Sequence, residues 1–169
     1  PPFGSATKPD STVDAGQDET RIQIDRSNYQ TIFTLDEWSS IVNEVKQAGL
    51  IAFDTETTSL DYMDAKLVGV SLAYNLKDQI KAVYVPTGHD YEDAPTQIAL
   101  EEFLPSLKDL LADQTIKKVG QNLKYDINVL AKYQLKLQGF ESDTMLQSYV
   151  FNSTGSRHDM DSLALKYLG

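Results

Sequence analysis

The chain has 169 residues, 41% hydrophobic and 24% charged, with no cysteine. That suits one globular domain with a real core plus a tail, fits a reducing cytoplasm, and excludes disulfides and cysteine-ligated zinc. No apolar run approaches the roughly 18 residues of a membrane span, and no basic stretch leads into a short apolar one as in a signal peptide. The net charge of −10 argues against a surface that grips nucleic acid by its phosphates. It leaves metal-dependent chemistry on a phosphate open, because cations held by clustered carboxylates reverse the local field.

The chain opens Pro1-Pro2 without a Met, which suggests a piece of something longer. Residues 1–20 are polar and rich in Ser, Thr, Asp, Gly and Pro, and read as a flexible linker before a domain over 21–169. Tyr29 to Phe33 has a short strand pattern. Thr34-Leu35-Asp36-Glu37 is a capping box, and Leu35, Trp38, Ile41, Val42 and Val45 follow at helical spacing up to a left-handed stop at Gly49. Leu50 to Phe53 is apolar on both faces and reads as a central strand covered on both sides. Leu67–Tyr74 and Lys81–Val85 are further strands, the second closed by Pro86. A polar excursion from His89 to Pro95 leads into a helix over Thr96–Leu111. Ile116–Val119 is a short strand, and Gly120-Gln121-Asn122 turns into a helix to Tyr133. Helices are expected over Thr144–Phe151 and from Met160 onward. This order predicts a layered α/β domain with a mixed sheet.

Asp54-Thr55-Glu56 follows the buried strand. Strand alternation puts Asp54 and Glu56 on one face, with Cα atoms roughly 7 Å apart, close enough for both carboxylates to reach one cation. Oxygen donors of this kind suit Mg²⁺ or Mn²⁺. An isolated Asp-X-Glu is more often a water-facing strand exit. Here the pair directly follows the most buried-looking stretch of the chain, where two like charges are costly without a use.

In the helix from Asn122 to Tyr133, Leu123, Ile127, Val129 and Leu130 form the apolar side. At 100° per residue Asp126 falls inside that stripe. An acid there needs a partner or a cation, and Lys124 or a nearby backbone N–H would serve as well as a metal. Lys117 and Lys118 read as solvated surface. The planar fork of Arg157 suits phosphate. His158, just before the helix N-cap candidate Asp159, fits a local structural role as readily as a catalytic one. Met160, Leu163 and Leu168 are core candidates.

Taken together, Phe53-Asp54-Thr55-Glu56-Thr57 with Ser59-Leu60, and Val119-Gly120-Gln121-Asn122-Leu123-Lys124-Tyr125-Asp126, resemble the first and second exonuclease motifs of DnaQ-like, RNase H-type nucleases. The second is in the form used by bacterial DNA polymerase I. His89-Asp90-Tyr91 with Ala94-Pro95, Asp143-Thr144-Met145-Leu146, and Arg157-His158-Asp159-Met160-Asp161-Ser162-Leu163-Ala164 are similar to the same polymerase exonuclease domain. The resemblance runs from Tyr29 to Gly169. It implies an RNase H-like mixed sheet flanked by helices. It also implies 3′→5′ proofreading hydrolysis of a single-stranded or frayed DNA end to nucleoside 5′-monophosphates by two divalent ions, Mg²⁺ with Mn²⁺ or Zn²⁺ as substitutes. Asp54 would bridge both ions, Glu56 would bind the first and contact the terminal 3′-hydroxyl, and Asp126 would hold the second. Thr57 would offer its N–H to the terminal nucleotide and Leu60 would wedge against its base. Gln121, Asn122, Tyr125 and Arg157 would line the strand's path. The implied partners are a DNA 3′ end and a polymerase domain in cis, with no membrane and with no oligomer predicted, in the bacterial cytoplasm at the nucleoid.

The family's third motif, a Tyr followed four residues later by an Asp, would come after Asp161, and the chain reaches Gly169 without it. Weak or absent activity of these 169 residues alone is therefore expected, as is exposed apolar surface where the next helix would pack. An RNA 3′-end exonuclease of the same superfamily and an inert scaffold domain are the alternatives. A nucleotide-binding α/β domain is disfavoured because no Gly-rich phosphate loop is present.

Overall fold

A computed structural model describes residues 26–155 and 157–168. The expected linker over 1–20 lies outside the described residues. In chain order the elements are β1 (Tyr29–Thr31), α1 (Leu35–Ala48), β2 (Leu50–Thr57), β3 (Leu67–Leu76), β4 (Gln79–Pro86), α2 (Leu100–Ala112), β5 (Lys117–Gly120), α3 (Leu123–Ala131), β6 (Phe140–Asp143), α4 (Thr144–Phe151) and α5 (Met160–Leu168). The strands form one sheet in the order β1-β4-β3-β2-β5-β6. Pairs β2–β3 and β3–β4 are antiparallel, and β1–β4, β2–β5 and β5–β6 are parallel. The layered α/β expectation with a mixed sheet holds.

Local chemistry sets the element boundaries. Thr34 Oγ1 accepts the Glu37 N–H at 3.2 Å, and Glu37 Oε2 accepts the Thr34 N–H at 3.0 Å, which completes the expected capping box of α1. Gly49 adopts φ 71° and donates its N–H to Val45 O, the left-handed stop the sequence called for. Helix α2 starts at Leu100, later than expected. The Gln97 side chain is drawn out of a helical path by two bonds to His89, accepting its N–H at 2.9 Å and donating to its carbonyl at 2.7 Å.

One sheet face carries the core. Ile51 and Phe53 of β2, Leu72 and Tyr74 of β3 and Val83 and Val85 of β4 are buried with Trp38, Ile41 and Val45 of α1 and Phe103, Leu107, Leu110 and Leu111 of α2. The rings of Trp38 and Phe103 meet edge to face at 5.0 Å between centroids, a favoured aromatic geometry. The opposite face runs across aligned Ala52, Ala73 and Ala82 and across Asp54, Ser71 and Tyr84. It is open: Ala52 is exposed and Leu50 is 47% exposed. The expectation of a strand covered on both sides is thus corrected. Residues 50 to 53 lack a polar alternation, but the second-face residues find no covering element among the described residues. A groove of about 600 Å³ crosses this face, with Asp54, Gln121 and Met160 at its margin.

Three other expectations change. Lys118 is fully buried, because parallel pairing aligns it with Ile51 on the core face, and its ammonium donates to the Asp113 carbonyl. Ile127 is 43% exposed although it lies next to the apolar stripe of α3. Met160 and Leu168 are exposed, since α5 buries none of its residues among those described.

Candidate active site

Strand β2 continues through the acids: Asp54, Thr55, Glu56 and Thr57 are all ladder residues, so Asp54 and Glu56 sit on the sheet's open face while Thr55 points into the core. Opposite Glu56, β3 has Gly69, where a Cβ would fall 2.1 Å from the Tyr84 hydroxyl. The glycine gives the Tyr84 ring its place on this face, and Tyr84 in turn bonds His89 Nε2.

Asp126 is 2% exposed on α3. Its Oδ1 accepts the Thr55 N–H at 2.9 Å and the Thr55 hydroxyl at 2.7 Å. The partner demanded by the apolar stripe is therefore a residue of β2, not Lys124. Burial nevertheless pushes the Asp126 carboxyl up; the Thr55 bonds oppose this and the charge of Asp143 adds to it. Asp54 is pushed up to about 6, chiefly by burial, then by the charges of Asp126 and Glu56. The charges of Asp126 and Glu56 thus add to the cost of ionising Asp54, a situation that a cation would relieve.

A cleft of about 640 Å³ opens over these acids. Asp54, Glu56, Thr57, Leu60, Gln121, Asn122, Tyr125 and Asp126 line it, together with Thr55, Met145, Asp159 and Met160. Leu60 is 97% exposed at its edge. The Tyr125 hydroxyl donates to the Ser59 carbonyl and lies 2.5 Å from Thr57 Oγ1. The Gln121 amide donates to the His158 carbonyl at 2.7 Å, and its oxygen accepts the Thr144 hydroxyl. Arg157 does not line the cleft. Its side chain is 88% exposed and its Nε lies 3.3 Å from Asp159.

Asp143 holds this wall together. It is buried, and its Oδ1 accepts N–H groups of Asn122 at 3.0 Å and Met145 at 2.9 Å, while Oδ2 accepts that of Leu123 at 2.8 Å. One carboxylate therefore satisfies the open N-termini of both α3 and α4. It also fixes Asn122 in a left-handed conformation, φ 58°. At Gly120 the backbone passes so close to β2 that a Cβ would lie 2.8 Å from the Phe53 carbonyl. His158 has a structural setting: its ring stacks on Tyr149 at 3.7 Å and its Nδ1 bonds Ser148 Oγ at 2.8 Å.

Among the described residues no three acids, histidines or cysteines form a ready-made metal cage. One oxygen of Asp126 is already turned onto Thr55. The donor set itself is all oxygen and anionic, which fits a hard divalent ion. Sequence reasoning singled out the acids. It quoted Thr55 and Asp143 only within family-like stretches and gave them no role, because those roles come from contacts made across 71 and 20 residues of sequence.

Sheet order, acid placement and flanking helices define a DnaQ-like nuclease fold. Residues 29–169 match the sequence model of a family described as a 3′–5′ exonuclease of DNA polymerase type A. DNA polymerase I of Pseudomonas aeruginosa is 47% identical over 91% of this chain, and that of Rhizobium leguminosarum is 44% identical over 88%. The chain spans only 17% and 16% of the length of those two relatives. A solved structure described as the POL domain of Pol1 from M. smegmatis in complex with DNA primer-template and dNTP aligns at TM-score 0.64. It is 20% identical, over 82% of this chain and 22% of that one, so it supports the fold. The chain belongs to the 3′–5′ exonuclease domain family of DNA polymerase I.

Proposed function

We propose that this chain is a proofreading domain that removes nucleotides one at a time from the 3′ end of single-stranded or frayed DNA. The observation that carries the reading is the convergence of Asp54, Glu56 and Asp126 on one open cleft whose rim holds Thr57, Leu60, Asn122 and Tyr125. Asp54, Glu56 and Asp126 would hold two divalent ions, Mg²⁺ above all, which when bound supply positive charge against the charge that develops on the phosphate. The chain's own residues do the rest. Thr55 and the β2 ladder fix the acids relative to one another, so little reorganisation remains at the moment of reaction. Leu60 offers an apolar face to the terminal base, and the Thr57 backbone meets the terminal nucleotide. An unpaired strand is the substrate this reading requires, which would favour a mismatched end because it frays more readily. Arg157 reaches phosphate only by leaving Asp159, so we assign it to the strand further from the scissile bond.

The test is the identity of the product. A 3′-labelled single strand should release labelled nucleoside 5′-monophosphate in Mg²⁺, with DNA consumed faster than an RNA of the same sequence and nothing released in EDTA. Preference for RNA ends would move the chain to an RNA-trimming role, and release of internal fragments would overturn the exonuclease reading.

A further inference from the structure

The loop from Thr58 to Lys66 joins β2 to β3 and carries Leu60 at the mouth of the cleft. Such a loop would be mobile if left to itself, yet it is gripped by three side chains, one from α3 and two from the turn that follows it. The Tyr125 hydroxyl donates to Ser59 O, and the Tyr133 hydroxyl accepts the Leu67 N–H at 2.9 Å where β3 begins. Between them, Lys132 Nζ donates to Met63 O at 2.8 Å and Ala65 O at 2.5 Å, with Tyr62 O at 3.4 Å. An ammonium surrounded by three backbone carbonyls acts as an internal clamp: all three donors are directed into one turn. The turn is itself closed by Ala65 N–H donating to Asp61 O at 2.9 Å. Among the described residues Lys132 has no carboxylate partner. Lys132 is the C-cap of α3, the helix that carries Asp126.

We propose that Lys132 is a positioning residue that clamps the Thr58–Lys66 loop and so holds Leu60 over the cleft for the end of a single strand. The inference rests on the functional reading above and extends it to a residue outside the cleft. Because Lys132 is exposed, its loss should leave the fold intact.

Lys132→Met keeps the apolar stem and removes the donors. In the full chain, hydrogen exchange of the loop amides should accelerate while that of the β2 and β3 ladders stays put, and Lys132→Arg should restore most of the protection. The affinity for a short fluorescent single-stranded DNA, read by anisotropy, should fall about fivefold without a change in salt slope, whereas loss of a direct phosphate contact would lower that slope by about 0.7. Combined with Leu60→Ala, the second substitution should add little, because both act through one contact. Unchanged loop exchange, a lowered salt slope, or full additivity with Leu60→Ala would each overturn the clamp. If the native chain bound no DNA while loop exchange still responded to Lys132→Met, the functional reading would fall and with it the positioning role, leaving only a structural clamp.

Discussion

The contact between Asp126 and Thr55 joins the fold to the proposed chemistry. The Asp126 oxygen that accepts two bonds from Thr55 would be replaced by an equivalent acceptor in Asp126→Asn. That variant should keep its melting temperature and lose hydrolysis. Asp126→Ala would instead strand a buried N–H and hydroxyl, and should cost about 2–4 kcal/mol of stability in a denaturant titration. Asp54 makes a pH prediction. Its carboxyl is raised to about 6 in the folded chain, so the folded state holds the proton more tightly than the unfolded state. Its contribution therefore falls as pH rises from the ordinary carboxylate range through about 6, and the deficit is complete above that. A shift of this size corresponds to roughly 3 kcal/mol, reduced to about 1–2 by solvent reaching a half-buried group. Asp54→Asn should thus be more stable than the native chain at about pH 7.5 in EDTA, with the gain vanishing near pH 4. A gain that persists at low pH would contradict the burial argument. That Asp126 faces inward was legible from helical periodicity alone. Its partner was not, since no local pattern links residues 71 apart in sequence. Lys118 misled for a related reason: a pair of adjacent lysines in a short strand reads as surface until the register with β2 assigns Lys118 to the core face.

At the scale of elements, the cleft depends on how helices begin. Asp143 caps α3 and α4 together, so Asp143→Ala removes two caps at once and should cost about 2 kcal/mol, twice a typical single cap. Its effect on strand affinity should exceed its effect on the core, because Asn122 loses its anchor. Equal loss of exchange protection in α1 and α3 would show a general destabilisation instead. The element supplying this residue, β6, was not anticipated. Phe140-Glu141-Ser142-Asp143 is short and mostly polar, and becomes a strand only because β5 offers it a parallel edge. The capping box of α1 was legible because its chemistry is local, whereas the late start of α2 depends on Gln97 reaching back to His89.

Among the described residues the molecule has one covered and one open sheet face. The open face is lined by small residues, Ala52, Ala73 and Ala82, beside half-exposed Leu50. Val150 and Phe151 of α4 are 89% and 80% exposed on another side. An apolar dye such as anilinonaphthalene sulfonate should therefore bind the native chain measurably, and Ala73→Lys should diminish the signal while leaving the core intact. The order of the first two family motifs was readable in the sequence, yet burial on the open face was not, because apolar residues in a strand do not reveal which element covers them.

The central claim, that Asp54, Glu56 and Asp126 form the hydrolytic site of a 3′→5′ exonuclease, is tested most directly by following a 5′-labelled single-stranded DNA in Mg²⁺. The chain alone would be run beside the chain joined to the segment that follows the matched region in the Pseudomonas aeruginosa relative, each with its Asp54→Ala counterpart. Stepwise shortening from the 3′ end by the joined form, abolished by Asp54→Ala and by EDTA, is the predicted result. A joined form that folds and binds DNA but leaves it uncut, or one whose cutting survives Asp54→Ala, would contradict the account.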